Sequence, residues 1–244
     1  MAQQADWFTS WFNSPYYHIL YKNRDAQEAQ QFLDLLLQRV PLPLASKVLD
    51  VGCGRGQHAV YLSQCGFDVT GIDLAEENIA YAKQFEKENL HFVQHDMREV
   101  FKPRAFDLVL SLFTSFGYFK GDHEQLTTLK AMAAALKPGA TLVLDFLNMN
   151  YVRKHLVAEE TKEVDGITFH LTRHEELGFL YKHITFKDQG VTQRFEERIR
   201  TMSYEILVEY LHLALLRVSE VFGNYDLSPF HPEESERMIF VLKK

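Results

Sequence analysis

The sequence has few cysteines, no run of basic residues and no long apolar segment. Only two of its 244 residues are cysteines, too few for the disulfide framework of a small secreted domain. No stretch approaches the roughly 20 consecutive apolar residues of a membrane-spanning helix, and residues 1–14 lack the features of a signal peptide. The net charge is -7, and lysine and arginine form no stripe of the kind that binds nucleic acid. These absences predict a cytoplasmic protein that binds a small molecule and neither a membrane nor a nucleic acid.

The composition is that of an ordinary globular protein, because 46% of the residues are hydrophobic and 24% are charged. A chain of this length suits a single domain with an elaborated insert. Residues 1–46 are rich in aromatic side chains and then helical, and residues 47–148 alternate strand and helix patterns. Residues 149–202 carry the pattern of an antiparallel insert, and residues 203–244 predict a helix and two strands. We therefore expect one α/β domain with an N-terminal helical cap and a β insert.

The segment 47–148 holds the pattern of a parallel sheet. Its expected strands are residues 47–51, 68–72, 90–94, 106–113 and 141–147, and its expected helices are residues 57–64, 75–87 and 123–136. Strands that alternate with crossover helices form a parallel sheet covered by helices on both faces. In the insert, polar and apolar residues alternate between the turn signals Asp165-Gly166 and Gln189-Gly190. That alternation predicts an antiparallel meander with one solvated face.

The densest chemical signal is a glycine loop. Gly52, Gly54 and Gly56 follow the first expected strand and precede a helix. Glycines let a ligand lie against the backbone, and the amides at the start of the helix then face that ligand. A glycine loop alone also fits a tight turn between a strand and a helix that binds nothing.

Three acidic residues on the expected strands make a ligand site the better interpretation. Asp50 lies inside the first strand, where a buried carboxylate needs a cationic or hydrogen-bonding partner such as an ammonium group. Asp73 ends the second strand, where a carboxylate can accept both hydroxyls of a ribose. Asp96 ends the third strand and precedes Met97, a pair that suits an adenine amino group and its ring. Each acid alone could instead be an ordinary strand-end residue or helix cap.

Residues 47–148 resemble a class I S-adenosylmethionine-dependent methyltransferase in five motifs that occur in the order typical of that family: LDVGCGRG, GIDLAEENI, QHDMRE, FDLVLSLFTSFGYF and LKPGATLVLDF. Residues 203–244 also fit, because the sheet of that family ends in an antiparallel hairpin. The resemblance implies a Rossmann-like α/β fold with a seven-stranded sheet, helices on both faces and an antiparallel β insert after the fifth strand. It implies S-adenosylmethionine as the cofactor and S-adenosylhomocysteine as the product.

The resemblance also implies roles for individual residues. Asp50 and the glycine loop would hold the methionine end of the cofactor, Asp73 its ribose, and Asp96 with Met97 its adenine. Leu112 and Phe113 would face the sulfonium and donate backbone contacts. The motif after the fourth strand is similar to that of amino-sugar N-methyltransferases, in which an N-terminal aromatic segment folds over the cofactor. The implied cofactor-binding residues are Tyr17, Arg24, Asp50, Gly52, Cys53, Gly54, Gly56, Asp73, Leu74, Asp96, Met97, Leu112 and Phe113.

The acceptor is expected to lie beyond the carboxyl ends of the strands, as ligands of open α/β sheets do. The candidate acceptor-binding residues come from the N-terminal segment, the end of the fourth strand and the insert: Tyr16, Tyr21, Phe116, Tyr118, Asn148, Tyr151, Arg198 and Arg200. An exposed pair of Arg198 and Arg200 would suit an acceptor with a carboxylate or phosphate. We expect the insert to cover the acceptor. The alternative is a homodimer surface, because exposed strand edges pair readily.

Methyl transfer from a sulfonium is an in-line displacement that depends mainly on alignment and on exclusion of water. A catalytic base is therefore not required. Tyr118 is the single candidate for a catalytic residue, and the alternative is that it is an aromatic residue that only packs in the lid. The histidines of the insert lack a diagnostic ligand spacing, so no metal is expected. The sequence leaves open whether nitrogen, oxygen or carbon is methylated.

Three alternative functions share some of these sequence features. An NAD-dependent oxidoreductase shares the glycine loop but is disfavoured by the G-x-G-x-G spacing, by Asp50 and by the terminal hairpin. A non-catalytic S-adenosylmethionine-binding protein would have a damaged loop or ribose acid, and both are intact. An amino-directed DNA methyltransferase would carry Asn/Asp-Pro-Pro-Tyr/Phe after the fourth strand, where this chain has residues 111–114, Ser-Leu-Phe-Thr.

Overall fold

The structure is a computed structural model that describes residues 7–22 and 26–244. Its helices are α1 (Trp7–Phe12), α2 (Pro15–Leu20), α3 (Ala26–Arg39), α4 (Gln57–Gln64), α5 (Glu76–Ala82), α6 (Asp122–Ala135), α7 (Met149–His155) and α8 (Tyr204–Leu213). Its strands are β1 (Lys47–Val51), β2 (Asp68–Asp73), β3 (Leu90–Gln94), β4 (Phe106–Ser111), β5 (Leu136–Leu147), β6 (Glu159–Val164), β7 (Ile167–Glu176), β8 (Phe179–Asp188), β9 (Val191–Arg200), β10 (Arg217–Phe222) and β11 (Arg237–Lys243). These elements form two separate sheets.

The larger sheet has seven strands in the order β10-β11-β5-β4-β1-β2-β3. The strands β1 to β5 run parallel, whereas β11 pairs antiparallel with both β5 and β10. One face packs against α6 and α8, through residues such as Met132 and Leu207, and the other against α3 and α4, through residues such as Phe32 and Leu62. The predicted Rossmann-like fold with helices on both faces and a terminal hairpin is thereby confirmed.

The smaller sheet is the predicted antiparallel insert, with four strands in the order β6-β7-β8-β9. Its buried face, which includes Phe169 and Ile184, packs against Trp11 and Leu20 of the N-terminal segment. Here α1 and α2 lie on the insert, while α3 packs on the large sheet. The division of the chain into four segments stays a prediction about its domain organisation.

Three expected elements end earlier than their patterns indicated. The strand expected at residues 106–113 ends at Ser111, because Phe113 and Thr114 have φ angles of 53° and 63° that no extended strand can adopt. The helix expected at residues 75–87 ends at Ala82 and continues as a single 3-10 turn. The C-terminal helix, whose pattern covers residues 203–216, ends at Leu213. No helix in the described residues combines the length and apolar character that crossing a membrane requires.

Candidate active site

A cavity of about 1090 Å³ lies at the carboxyl ends of β1, β2 and β4. The large sheet lines it with Asp50, Asp73 and the residues after β4, while Tyr17 and Glu197 come from the N-terminal segment and the insert. Single-ligand pockets typically measure about 300–1,000 Å³, so this cavity has room for a cofactor and a small acceptor. In the part of the chain that the structure describes, no group of three or more His, Cys, Asp or Glu side chains could hold a metal ion.

The three positions of the glycine loop require glycine for different structural reasons. A Cβ at Gly52 would lie 2.6 Å from the Ser115 Cβ, and one at Gly56 would lie 2.5 Å from the Phe92 ring. Packing therefore explains both of these glycines. A Cβ at Gly54 would meet no protein atom within 4 Å, although this residue lines the cavity. Gly54 thus leaves open a cradle that protein packing does not require.

Asp50 lines the same cavity and carries an unsatisfied buried acceptor. Its side chain is 2% exposed, and among the described residues no donor reaches its Oδ2 atom. Burial, followed by the nearby charge of Asp73, raises the pKa of Asp50 to about 7. Buried polar atoms normally have hydrogen-bond partners, and an unpaired carboxylate is especially unfavourable. An oxygen of this kind suits a cationic donor such as the ammonium group of a bound amino acid.

Asp73 is both a structural cap and a cavity residue. Its Oδ2 accepts from the Gly54 amide at 2.9 Å, and its Oδ1 accepts from the Ala75 amide at 2.8 Å. Burial raises the pKa of Asp73, against the opposing effect of these backbone hydrogen bonds. A carboxylate has about four acceptor positions, and the Asn78 side chain and the Leu74 backbone also hydrogen-bond to it, so ligand hydroxyls would share its oxygens with these donors. The cap and ligand interpretations of this residue are therefore compatible.

Asp96 and Met97 also line the cavity, where Asp96 is held by an ion pair. The Arg98 guanidinium donates to Asp96 at 2.6 Å and pairs with Glu124 at 2.8 Å. Although burial acts in the opposite direction, hydrogen bonds from Arg98 keep the pKa of Asp96 below its usual value. The carboxylate therefore stays ionised and oriented at neutral pH.

The loop after β4 reaches the cavity through Leu112 and Phe113, but the backbone amide of Phe113 already donates a hydrogen bond within the protein. This amide donates to Asp145 Oδ2 at 2.7 Å, and the Leu112 carbonyl accepts from the Ser115 hydroxyl at 2.9 Å. The expectation that the Phe113 amide donates to the cofactor is therefore corrected. The Phe113 ring stacks on His58 of α4 with 4.8 Å between the ring centroids.

The predicted site residues divide into three groups. Those that line the cavity are Tyr17, Tyr21, Asp50, Gly52, Cys53, Gly54, Asp73, Leu74, Asp96, Met97, Leu112, Phe113 and Tyr118. Those that the structure places elsewhere are Tyr16, Gly56, Phe116, Asn148, Tyr151, Arg198 and Arg200. Arg24 lies outside the described residues.

Four acceptor candidates have other contacts that keep them out of the cavity. The Tyr16 hydroxyl donates to Asp188 at 2.6 Å, and Phe116 is fully buried in the core. Asn148 is the N-cap of α7 and its side-chain amide donates to the Ser235 carbonyl at 2.7 Å. The Tyr151 hydroxyl bonds to Glu236 at 2.9 Å. Sequence proximity to the fifth strand placed Asn148 and Tyr151 correctly at this edge of the sheet but could not give their side-chain directions.

The arginine pair of the insert also faces away from the cavity. Arg198 and Arg200 hold their guanidinium groups over the Phe179 ring at 5.5 and 5.2 Å, and Arg200 pairs with Asp122 at 3.1 Å. Successive side chains of a strand point to opposite faces, and Glu197 is the charged residue of β9 that lines the cavity. The structure therefore replaces an expected basic surface with an acidic one.

Glu197 belongs to a polar cluster that the sequence interpretation missed. Its Oε1 accepts from the Trp11 indole at 2.7 Å and from the Tyr21 hydroxyl at 2.6 Å. Lys182 donates to the Tyr21 hydroxyl at 2.6 Å and lies 3.7 Å from Glu197 Oε2. The sequence did contain a signal, because Glu197 lies two positions after Phe195 and therefore on the same, apolar face of the strand. A carboxylate on the buried side of a strand was the clue.

Comparisons with known proteins agree with this geometry. The sequence profile of a methyltransferase domain matches residues 48–139. A protein of Geobacillus sp. (strain WCH70) with a provisional methyltransferase name is 30% identical over 88% of this chain and 91% of its own. The dTDP-3-amino-3,4,6-trideoxy-alpha-D-glucopyranose N,N-dimethyltransferase of Streptomyces venezuelae is 35% identical over 53% of this chain and 54% of its own.

A solved structure of an S-adenosylmethionine-dependent methyltransferase from Clostridium acetobutylicum ATCC 824 shares the fold. It superposes with a TM-score of 0.78 at 20% identity and covers 93% of this chain and 95% of its own. The near full-length match to the Geobacillus protein, the domain profile and this shared fold all agree. The chain belongs to the class I S-adenosylmethionine-dependent methyltransferases.

Proposed function

We propose that this protein methylates a small molecule that binds beside the cofactor in the cavity. The observation that carries the proposal is Asp50 Oδ2, which has no donor among the described residues and lines the same cavity as the open position at Gly54. Bound S-adenosylmethionine supplies an activated methyl group on its sulfonium. The chain then has to hold the two ligands in line and exclude water, which lowers the entropic part of the barrier.

The cavity residues divide the binding of the cofactor among them. Asp50 receives the ammonium group, and Asp73 receives the ribose hydroxyls on oxygens that it shares with the backbone and Asn78 donors. Asp96 and Met97 hold the adenine. These roles are supported by the position of each side chain on the cavity wall, and by the order of the acids along β1, β2 and β3.

The N-terminal segment and the insert close the acceptor side. Tyr118 packs edge-on against Trp7 with 5.4 Å between ring centroids and lies 5.4 Å from the Phe12 ring. This aromatic group forms an apolar wall, so we assign Tyr118 to acceptor contact and water exclusion. Proton abstraction is not part of that role. Cytoplasmic localisation and a homodimer stay predictions.

Glu197 narrows the class of acceptor to molecules that present an amine. The Trp11 and Tyr21 contacts use two of the roughly four acceptor positions of its carboxylate. Tyr21 also reaches Oε2 at 2.8 Å, and the Lys182 ammonium lies 3.7 Å from that atom and balances its charge, so the wall of the insert is suited to a hydrogen-bond donor such as a neutral amine. The Streptomyces venezuelae relative has an amino sugar as its named substrate, which supports N-methylation of an amino compound here.

The cofactor part of the proposal predicts selective binding. Calorimetric titration should show S-adenosylhomocysteine binding at micromolar concentrations and no binding of NAD. The Gly54→Ala variant should lose at least about tenfold in affinity, because its methyl group would enter the cradle. Gly139→Ala is the matched control, since Gly139 has a similar positive φ and open surroundings but does not line this cavity. Tighter binding of NAD than of S-adenosylhomocysteine would refute the proposal.

A further inference from the structure

A buried ion pair joins the end of the chain to the cavity. Asp145 on β5 is fully buried, and Arg237 on β11 donates to its Oδ1 atom at 2.8 Å. The Tyr225 hydroxyl donates to Asp145 Oδ2 at 3.1 Å. Burying two charges is costly and contributes little net stability unless the surrounding hydrogen bonds are complete. Asp145 accepts hydrogen bonds on both oxygens, so that condition is met here, and the partners of the pair show what it holds in place.

Both members of the pair hold the loop that follows β4. Asp145 Oδ2 accepts from the Phe113 amide at 2.7 Å, and Arg237 Nη2 donates to the Thr114 hydroxyl at 2.6 Å. The ion pair thus contacts two consecutive residues, one through the backbone and one through the side chain. Neither contact could form if the chain continued as a strand beyond Ser111.

The held residues have an unfavourable backbone conformation. Phe113 and Thr114 have φ angles of 53° and 63°, in the left-handed region that residues with a side chain rarely adopt. Such conformations persist only where the surroundings impose them, and they are concentrated at functional sites. Here the surroundings that impose them include Asp145 and Arg237.

The loop forms part of the cavity wall. Leu112, Phe113, Thr114 and Ser115 all line the cavity, and the Ser115 hydroxyl donates to the Gly52 carbonyl at 3.3 Å. A change in the loop would therefore alter both the wall beside Phe113 and its contact with the glycine loop. The C-terminal hairpin also reaches the cavity, because Tyr225 and Arg237 line it, so hydrogen exchange in the loop is needed to separate positioning from direct ligand contact.

We propose that Asp145 and Arg237 are positioning residues that hold Phe113 and Thr114 in the ligand-binding conformation before the cofactor arrives. Preorganisation of this kind raises affinity by lowering the cost of ordering the site. The inference rests on the proposed function only in taking this cavity as the cofactor site. It predicts that the affinity for the cofactor depends on the Thr114 hydroxyl, because that hydroxyl accepts the hydrogen bond from Arg237 that holds the loop.

The test uses two substitutions at Thr114. Thr114→Val keeps the shape and removes the hydroxyl that accepts from Arg237, whereas Thr114→Ser keeps the hydroxyl. Calorimetry with S-adenosylhomocysteine should show about tenfold weaker binding for the valine variant and near wild-type binding for the serine variant. Arg237→Lys, which keeps the charge and loses the forked geometry, should resemble the valine variant. Lys243→Met is the matched control, because Lys243 makes a comparable hydroxyl contact with Thr141 at the far end of the same strand.

Amide hydrogen exchange over residues 112–115 provides a readout that needs no ligand. Exchange should become faster in Thr114→Val and Arg237→Lys, and it should stay at the wild-type rate in Thr114→Ser and Lys243→Met. Unchanged exchange and unchanged affinity in Thr114→Val, with only a lower unfolding midpoint, would overturn the inference by showing a purely structural role. Failure of the wild-type protein to bind S-adenosylhomocysteine would instead overturn the proposed function, and exchange would still decide the role of the pair.

Discussion

Binding of S-adenosylhomocysteine should weaken about a hundredfold between about pH 7 and about pH 5, because each pH unit below the pKa of a required carboxylate costs about a factor of ten. The carboxylate is Asp50, whose pKa burial raises to about 7. The ligand's ammonium group needs the ionised form. Binding below pH 7 should therefore release a proton, and the released fraction should be measurable by calorimetry in buffers of different ionisation enthalpy.

The sign of the linked stability change follows from the same group. The folded-state pKa of Asp50 lies above its ordinary value of 3.8, so the folded protein without ligand binds more protons than the unfolded chain between these two values. Its contribution to stability is complete at the acidic end of this window and is lost as the pH rises through about 7. A bound ligand whose ammonium group pairs with ionised Asp50 should restore the stability that is lost when Asp50 ionises.

Asp50→Asn is the control for this pH dependence. It should bind weakly at all pH values and should lose most of the pH dependence between pH 5 and 7. His18, His58 and His95 also line the cavity and are present in both proteins. Asp73, whose pKa burial also raises, is likewise present in both proteins. An equally steep pH dependence in Asp50→Asn would assign the effect to Asp73 or to these histidines and contradict the role given to Asp50.

Replacing Glu197 with glutamine should lower kcat/KM for the acceptor by about ten- to a hundredfold, since a hydrogen bond to a charged group contributes about 1.5–3 kcal/mol. The affinity for S-adenosylhomocysteine should change little, because Glu197 lies on the insert, away from the glycine loop. Steady-state kinetics with the acceptor and calorimetry with S-adenosylhomocysteine measure the two effects separately.

Glu196→Gln is the matched control for Glu197→Gln. Glu196 is the preceding residue of β9 and lies 3.7 Å from His183, and it does not line the cavity. It should behave like the wild type with the acceptor. If Glu197→Gln lowers only stability, its carboxylate serves to attach Trp11 and Tyr21 to the insert and does not recognise the acceptor.

The positions of the candidate residues on the large sheet could be predicted because these residues follow local patterns. Asp50, the glycines and Asp73 lie at defined offsets from apolar runs, and the carboxyl ends of parallel strands meet at one edge. The structure accordingly places Asp50, Asp73 and Asp96 on one cavity wall. For these three acids, the position that the local sequence pattern predicts agrees with the position in the fold.

The other half depends on contacts between distant parts of the chain. Asp145 and Arg237 are 92 positions apart, and the Trp11 indole meets Glu197 across 186 positions. Asp145 carried one local sign, a charge within the apolar run LVLDFL, but nothing nearby in sequence identifies its partner. The face of β9 that meets the cavity is likewise set by packing of the insert on α1 and α2.

Methyl transfer to a small molecule is tested most directly by incubating the protein with S-adenosylmethionine that carries a deuterated methyl group and an extract of small metabolites. Mass spectrometry should detect a labelled low-mass product together with an equal amount of S-adenosylhomocysteine. Both should be absent with the Asp50→Asn variant at neutral pH. Label found only in protein or nucleic acid, or no labelled product from an enzyme that binds S-adenosylhomocysteine, would contradict the account.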